Sequence, residues 1–289
     1  MKKMLLMALA VALILPSCTK DDEPEQMTDE GRIELFVNAD TMANHATITF
    51  GCRTVSQQPM TRSTLESASM TDLWVFDGET LVVHQTSDDT AFGSPSVNVD
   101  YGEHHFYFIA SRGSDPTVNG KTISWAKLSD TFWQGLTLTI APQTATTQSV
   151  VLQRVAARLR VTVTDEVPST LASLNVTPST WYYGLDFTTG EATDSRTTMR
   201  TISVPASYAG TSGQLAASFY CISPSEAWTT NITLAAKSSD DATISQISIA
   251  DVPMQRNHIT SYSGSLFTAG RSVDVSADDE WGDDINGTW

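Results

Sequence analysis

Residues 73–83 read LWVFDGETLVV. Two runs rich in β-branched and aromatic side chains flank Asp77-Gly78. That pair of residues between apolar runs is the strongest short-range signal of a β-hairpin. The same character persists on both sides of this hairpin. In Arg32-Ile33-Glu34-Leu35-Phe36-Val37, residues Ile33, Leu35 and Val37 share a face; in 46–53, Ile48, Phe50 and Cys52 do. A period of two marks half-buried strands. Further strands are predicted over 96–100, 104–110, 136–140, 148–152, 157–164, 201–204, 214–222, 230–236, 242–249, 258–267 and 272–276. Short helical turns are predicted at 124–130 and 169–174. No long stretch keeps a 3.6-residue period. Short strands separated by Gly, Ser, Asp and Pro clusters indicate β-sandwiches. The strands fall into two similar sets about a seam at 152–157. The expected fold is therefore all-β, with two stacked sandwich domains at 32–154 and 155–289.

The N-terminus does not belong to these sandwiches. Lys2 and Lys3 precede an unbroken apolar run from Met4 to Leu15. Twelve residues are too few to span a bilayer as a helix and fit the core of a secretory signal. The run ends Leu15-Pro16-Ser17-Cys18, which resembles the bacterial lipobox. The resemblance implies cleavage before Cys18 and a lipid on its sulfur; durable anchoring takes more than one acyl chain. Residues 1–17 are thus expected to be a lipoprotein signal peptide and 18–31 an acidic tether. Lys20-Asp21-Asp22 is similar to the signal that sends lipoproteins of some gut and mouth anaerobes to the outer face of the outer membrane. The tether contains Pro24 and too little apolar surface to fold.

Composition bounds the function. The 289 residues carry 33 acids against 17 bases, a formal net charge of −16. Such a surface repels phosphate backbones, so nucleic acid is not expected as a partner. Beyond Cys18 the cysteines are Cys52 and Cys221, far apart and without zinc-type spacing. Outside the cytoplasm they could form one long-range disulfide; the alternative is two buried free thiols.

No nucleophile elbow, zinc-protease helix or phosphate-binding loop occurs. No catalytic residue, cofactor or metal site is expected, and the chain is read as a non-enzyme. Glu103-His104-His105 opens a strand, where adjacent side chains point to opposite faces, so both rings could not easily reach one metal. The acidic C-terminus, with Asp278, Asp279, Glu280, Asp283 and Asp284, has oxygen ligands of the kind calcium takes but no EF-hand spacing. Trp125 and Trp133, with Trp181, Tyr182 and Tyr183, could line a carbohydrate platform; sandwich-core residues are the other reading.

Four stretches in order resemble the fimbrillin superfamily, the subunits, tip proteins and anchors of type V fimbriae. They are Met60-Thr61-Arg62 with Met70-Thr71-Asp72-Leu73-Trp74-Val75-Phe76-Asp77; Tyr101-Gly102 with Phe106-Tyr107-Phe108-Ile109-Ala110-Ser111; Leu152-Gln153-Arg154-Val155-Ala156-Ala157-Arg158-Leu159; and Gln255-Arg256-Asn257-His258-Ile259-Thr260 with Gly264-Ser265-Leu266-Phe267. The resemblance implies transthyretin-like Greek-key sandwiches, no catalysis, and assembly with other fimbrial subunits by β-strand addition. In that scheme a protease cuts after an arginine, here Arg53 or Arg62, and removes the first strand. An extended segment of another subunit then fills the groove. The donor would be 271–277, with Val273, Val275 and Ala277 on one face; the other reading of that stretch is the last strand of its own domain. The expected location is the cell outer membrane and the fimbrium, with a host or bacterial surface ligand as a further partner. The alternative function is a carbohydrate-binding surface lipoprotein of a glycan-uptake system.

Overall fold

The computed structural model describes residues 44–55, 62–64, 70–268, 273–274 and 285–286. The signal peptide, the tether and the strand expected at 32–37 lie outside them. The described residues belong to one compact unit. In chain order its strands are β1 (His45–Val55), β2 (Arg62–Thr64), β3 (Asp72–Asp77), β4 (Thr80–Thr86), β5 (Ser96–Asp100), β6 (Gly102–Ser111) and β7 (Ser114–Asn119). There follow β8 (Thr122–Lys127), β9 (Thr131–Ile140), β10 (Thr147–Arg154), β11 (Ala156–Val163), β12 (Leu171–Pro178), β13 (Trp181–Asp186) and β14 (Glu191–Arg196). The last are β15 (Arg200–Ser203), β16 (Leu215–Ile222), β17 (Trp228–Ser238), β18 (Thr243–Met254), β19 (Ile259–Gly264), β20 (Val273–Asp274) and β21 (Ile285–Asn286). One 3₁₀ turn, Ala206–Tyr208, interrupts them.

The all-β reading holds. One sheet runs β2-β1-β10-β9-β6-β3-β4, with β5 also on β1; a second runs β16-β11-β19-β20, with β21 also on β19. The remaining two run β15-β12-β17-β18 and β14-β13-β8-β7. The hairpin of 73–83 forms as β3 and β4, but its turn sits one residue later than Asp77-Gly78. Asp77 pairs with Thr80, and Gly78, at φ +57°, takes the left-handed position. The unbroken apolar run of β3 has a physical cause. Leu73 and Val75 pack in one core with Phe50, Phe106 and Phe108, while Trp74 and Phe76 pack in another with Ile123, Trp125 and Phe187. A strand buried on both faces shows no polar alternation.

Of the helical turns expected at 124–130 and 169–174, residues 169–170 do form a turn, but 124–127 and 171–174 are strand instead. Ile123 and Trp125 on β8 and Leu174 and Val176 on β12 are buried in the larger core. Burial against neighbouring strands overrides weak local preference there. One pairing crosses the expected seam. Gly184 of β13 lies opposite Ser124 of β8, followed by Leu185 opposite Ile123 and Asp186 opposite Thr122. The β7–β8 hairpin thus joins a sheet made with strands of the second half.

Candidate functional site

The first described strand is built into the sheet rather than laid along its edge. On one side β1 pairs in parallel with β10, from Thr49 opposite Thr147 to Thr54 opposite Leu152. On the other it pairs antiparallel with β5 over 45–49 and with β2 over 53–55. Between those two partners the loop before β5 takes over, as Phe50 and Cys52 donate to the carbonyls of Pro95 and Gly93, both at 2.8 Å. Ile48, Phe50 and Cys52 point into the smaller core and are essentially inaccessible. The Phe50 ring lies 5.0 Å from Phe106 and 4.9 Å from Phe108, tilted and edge-on respectively. Removing β1 would unpair two strand edges and open an apolar groove along these rings.

The two candidate cleavage positions are unlike. Arg53 lies within β1, opposite both Val151 and Thr64, and is half-buried; its Nε is buried and has no hydrogen-bond partner among the described residues. Arg62 begins β2 opposite Val55, directly after residues outside the described set. A protease pairs with the free backbone of an extended chain, and a strand already paired on both sides does not offer it.

The other expected residues are dispersed. Cys18 lies outside the described residues. Cys52 and Cys221 are free, buried thiols in separate cores, so the structure takes the free-thiol alternative. Burial pushes the Cys52 thiol up to about 12 and raises Cys221 as well. Val273 pairs with Gly264 and Asp274 with Ser263, which makes β20 a short edge strand of its own sheet. Val275 and Ala277 lie outside the described residues. The expected aromatic platform is not assembled, since three of its five rings are buried and half-buried Tyr182 packs edge-on against Trp228. Trp125, Trp181 and Tyr183 are core residues, and half-buried Trp133 donates its Nε1–H to the Phe187 carbonyl at 2.8 Å.

His104 and His105 diverge as strand geometry requires. His105 Nδ1 is 3.0 Å from Thr137 Oγ1. His104 is largely enclosed, with Nδ1 2.7 Å from Asp77 Oδ2 and Nε2 2.9 Å from the Asp100 carbonyl. Both ring nitrogens face acceptors, which calls for the doubly protonated ring. Burial alone would lower its pKa; Asp77 and the Asp100 carbonyl outweigh that and raise it. Among the described residues no group of three or more His, Cys, Asp or Glu is placed to hold a metal.

Two arginines, one in 152–159 and one in 255–260, are clamps. Arg154, at the end of β10, makes a two-pronged pair with Asp130 at 2.8 and 3.0 Å and donates to Asn257 Oδ1 at 3.0 Å. Arg256 donates to the carbonyls of Ser223 and Gly190 at 2.7 and 2.8 Å. Sequence reading missed a second basic grouping. Arg112, Lys127 and Arg200 are scattered along the chain and meet only in the fold.

No curated protein matches the sequence. A solved candidate adhesin from Bacteroides ovatus aligns over 78% of this chain and 88% of its own at 9% identity, with a TM-score of 0.51. A second from the same species aligns over 82% and 96% at 10% identity, with a TM-score of 0.50. A fimbrial assembly protein from Parabacteroides distasonis aligns over 81% and 96% at 11% identity, with a TM-score of 0.43. At such identities the likeness to the two adhesins is one of fold. A family model described as a family of unknown function, DUF6562, matches residues 115–289, more than half of the sequence, and the chain belongs to that family.

Proposed function

We propose that this chain is a fimbrial structural and adhesion protein, exported as a surface lipoprotein on Cys18 and joined to other subunits by β-strand addition. The observation that carries the reading is the position of β1. It fills a slot between β10 on one side and β5 and β2 on the other, and Arg62 begins the next strand of the chain. A single cut after Arg62 would leave the segment that carries β1 held by non-covalent contacts alone. Its departure would leave a groove that an extended segment with apolar side chains at alternate positions could fill. Backbone pairing would supply the affinity and Ile48-, Phe50- and Cys52-type positions the register. Residues 271–277 of another copy, with Val273, Val275 and Ala277 in alternation, have the required pattern. The fold shared with candidate adhesins and the lipobox-like N-terminus agree with this reading. The partners are then the outer membrane through the lipid of the uncut precursor, other subunits after cleavage, and a surface ligand.

Digestion of the purified full chain with an arginine-specific protease tests the mechanism. We expect cleavage at Arg62 followed by denaturant-resistant multimers, both abolished by Arg62→Ala while Arg53→Ala polymerises normally. Clean cleavage at Arg62 with the chain remaining monomeric would reject strand addition.

A further inference from the structure

The structure assigns an acidic-saccharide site to the cleft where Arg112, Lys127 and Arg200 converge. The cleft has a volume of about 770 Å³, within the range of about 300–1,000 Å³ usual for small-ligand sites. Its walls come from distant parts of the chain. Arg112 follows β6, Lys127 ends β8, Arg200 and Thr201 open β15, and Phe219 and Tyr220 lie on β16. β15 and β16 each end their sheet in the strand order, so the cleft lies beside two sheet edges and is not filled by a neighbouring strand.

Charge makes the cleft distinctive. In a chain with nearly two acids for each base, three bases line it, and no Asp or Glu is among the described residues that do. Arg112 and Lys127 are exposed and make no ion pair or side-chain hydrogen bond among the described residues. A surface that was merely solvated, in so acidic a protein, would more often set carboxylates beside such bases. Arg200 is held in place. Its Nε donates to Tyr183 Oη at 3.1 Å, and its guanidinium lies 4.9 Å from the centre of the buried Tyr183 ring. A held guanidinium with its two terminal nitrogens still available, in a cleft also lined by two exposed cations, suits a carboxylate, which an arginine fork binds with two parallel hydrogen bonds.

The remaining lining selects a sugar among carboxylate ligands. Phe219 and Tyr220 are adjacent on β16 and present opposite faces, so one of the two half-buried rings, not both, supplies aromatic surface for the apolar face of a pyranose. Thr201 and neighbouring serine hydroxyls can donate to or accept from ring hydroxyls. Uronic acids and sialic acids share this combination of one carboxylate, several hydroxyls and a C–H face. The inference stands on the cleft alone and goes beyond fimbrial assembly; its failure would leave the strand-addition reading untouched, because binding is read on the uncut chain.

Calorimetric titration of the full chain with trigalacturonate and with sialyllactose tests it, with fully methyl-esterified trigalacturonate as the uncharged control. We expect at least one acidic sugar to bind, the ester to bind about tenfold or more weakly, and added salt to weaken the acidic sugar. The double variant Arg112→Ala/Lys127→Ala, which leaves the backbone bonds of both positions in place, should lose about tenfold or more. Arg200→Lys, which keeps the charge and loses the fork, should also weaken binding. Absence of binding by both acidic sugars, equal binding of the ester, or wild-type affinity in both variants would overturn the assignment. So would a penta-aspartate peptide that binds as tightly as the sugars.

Discussion

Gly190 shows how much one residue can hold. It sits at φ +75°, and a Cβ there would meet the Trp133 indole at 2.7 Å. Its carbonyl also accepts from Arg256. Gly190→Ala should therefore cost about 2 kcal/mol, through backbone strain and displacement of Trp133, measurable by urea unfolding. His104 is the residue whose effect depends on pH. Its folded pKa lies above the ordinary 6.5, so its contribution is fully present below that value and fades as pH rises through the folded pKa. His104→Asn should lower stability most at pH 5.5, and the gap to the wild type should narrow toward pH 9. A gap that widens with pH would contradict the doubly protonated ring. Neither residue declared this role in the sequence. Gly190 needs its distant tryptophan, and His104 needs Asp77, brought beside it by the pairing of β3 with β6.

At the scale of elements, legibility followed the number of apolar side chains a strand commits to a core. β1, β3, β6 and β11 place alternating or continuous apolar residues in buried positions and were readable on that ground. β7, with the sequence SDPTVN, is exposed throughout, and β14, EATDSR, has no fully buried residue. Such strands exist because a neighbour supplies backbone partners, which no local pattern announces. β8 and β12 were misread as turns because Ser, Lys, Asp and Ala dilute a few decisive buried residues. The same logic predicts where β1 draws its hold. Phe50→Ala should destabilise the chain by about 3–5 kcal/mol, since two aromatic neighbours lose their partner around a cavity. Substitution of exposed Gly51 by Ser should change stability little. A small effect of Phe50→Ala would mean that β1 is loosely seated even before any cleavage.

At the scale of the whole molecule, the division expected at residue 154 meets a shared sheet. Among the described residues two large cores are present beside a small cluster of Ala156 and Ile259, but Trp74, Phe76, Ile109, Ile123 and Trp125 of the first half pack in the larger core with residues of the second. The matched family region begins at residue 115, inside the β7–β8 hairpin that joins the two halves. We propose that the two sandwiches are units of architecture within one cooperative assembly. The basic cleft was illegible for the same reason, as its three cations come from separate strands and loops. If β1 is a removable strand, the N-terminus of the protein recovered from the surface of its native cells will report its loss. Terminal-peptide and intact-mass analysis should find the mature chain beginning at Ser63, after Arg62, with β1 gone. An acylated Cys18 as the sole terminus, with β1 still attached, would contradict it.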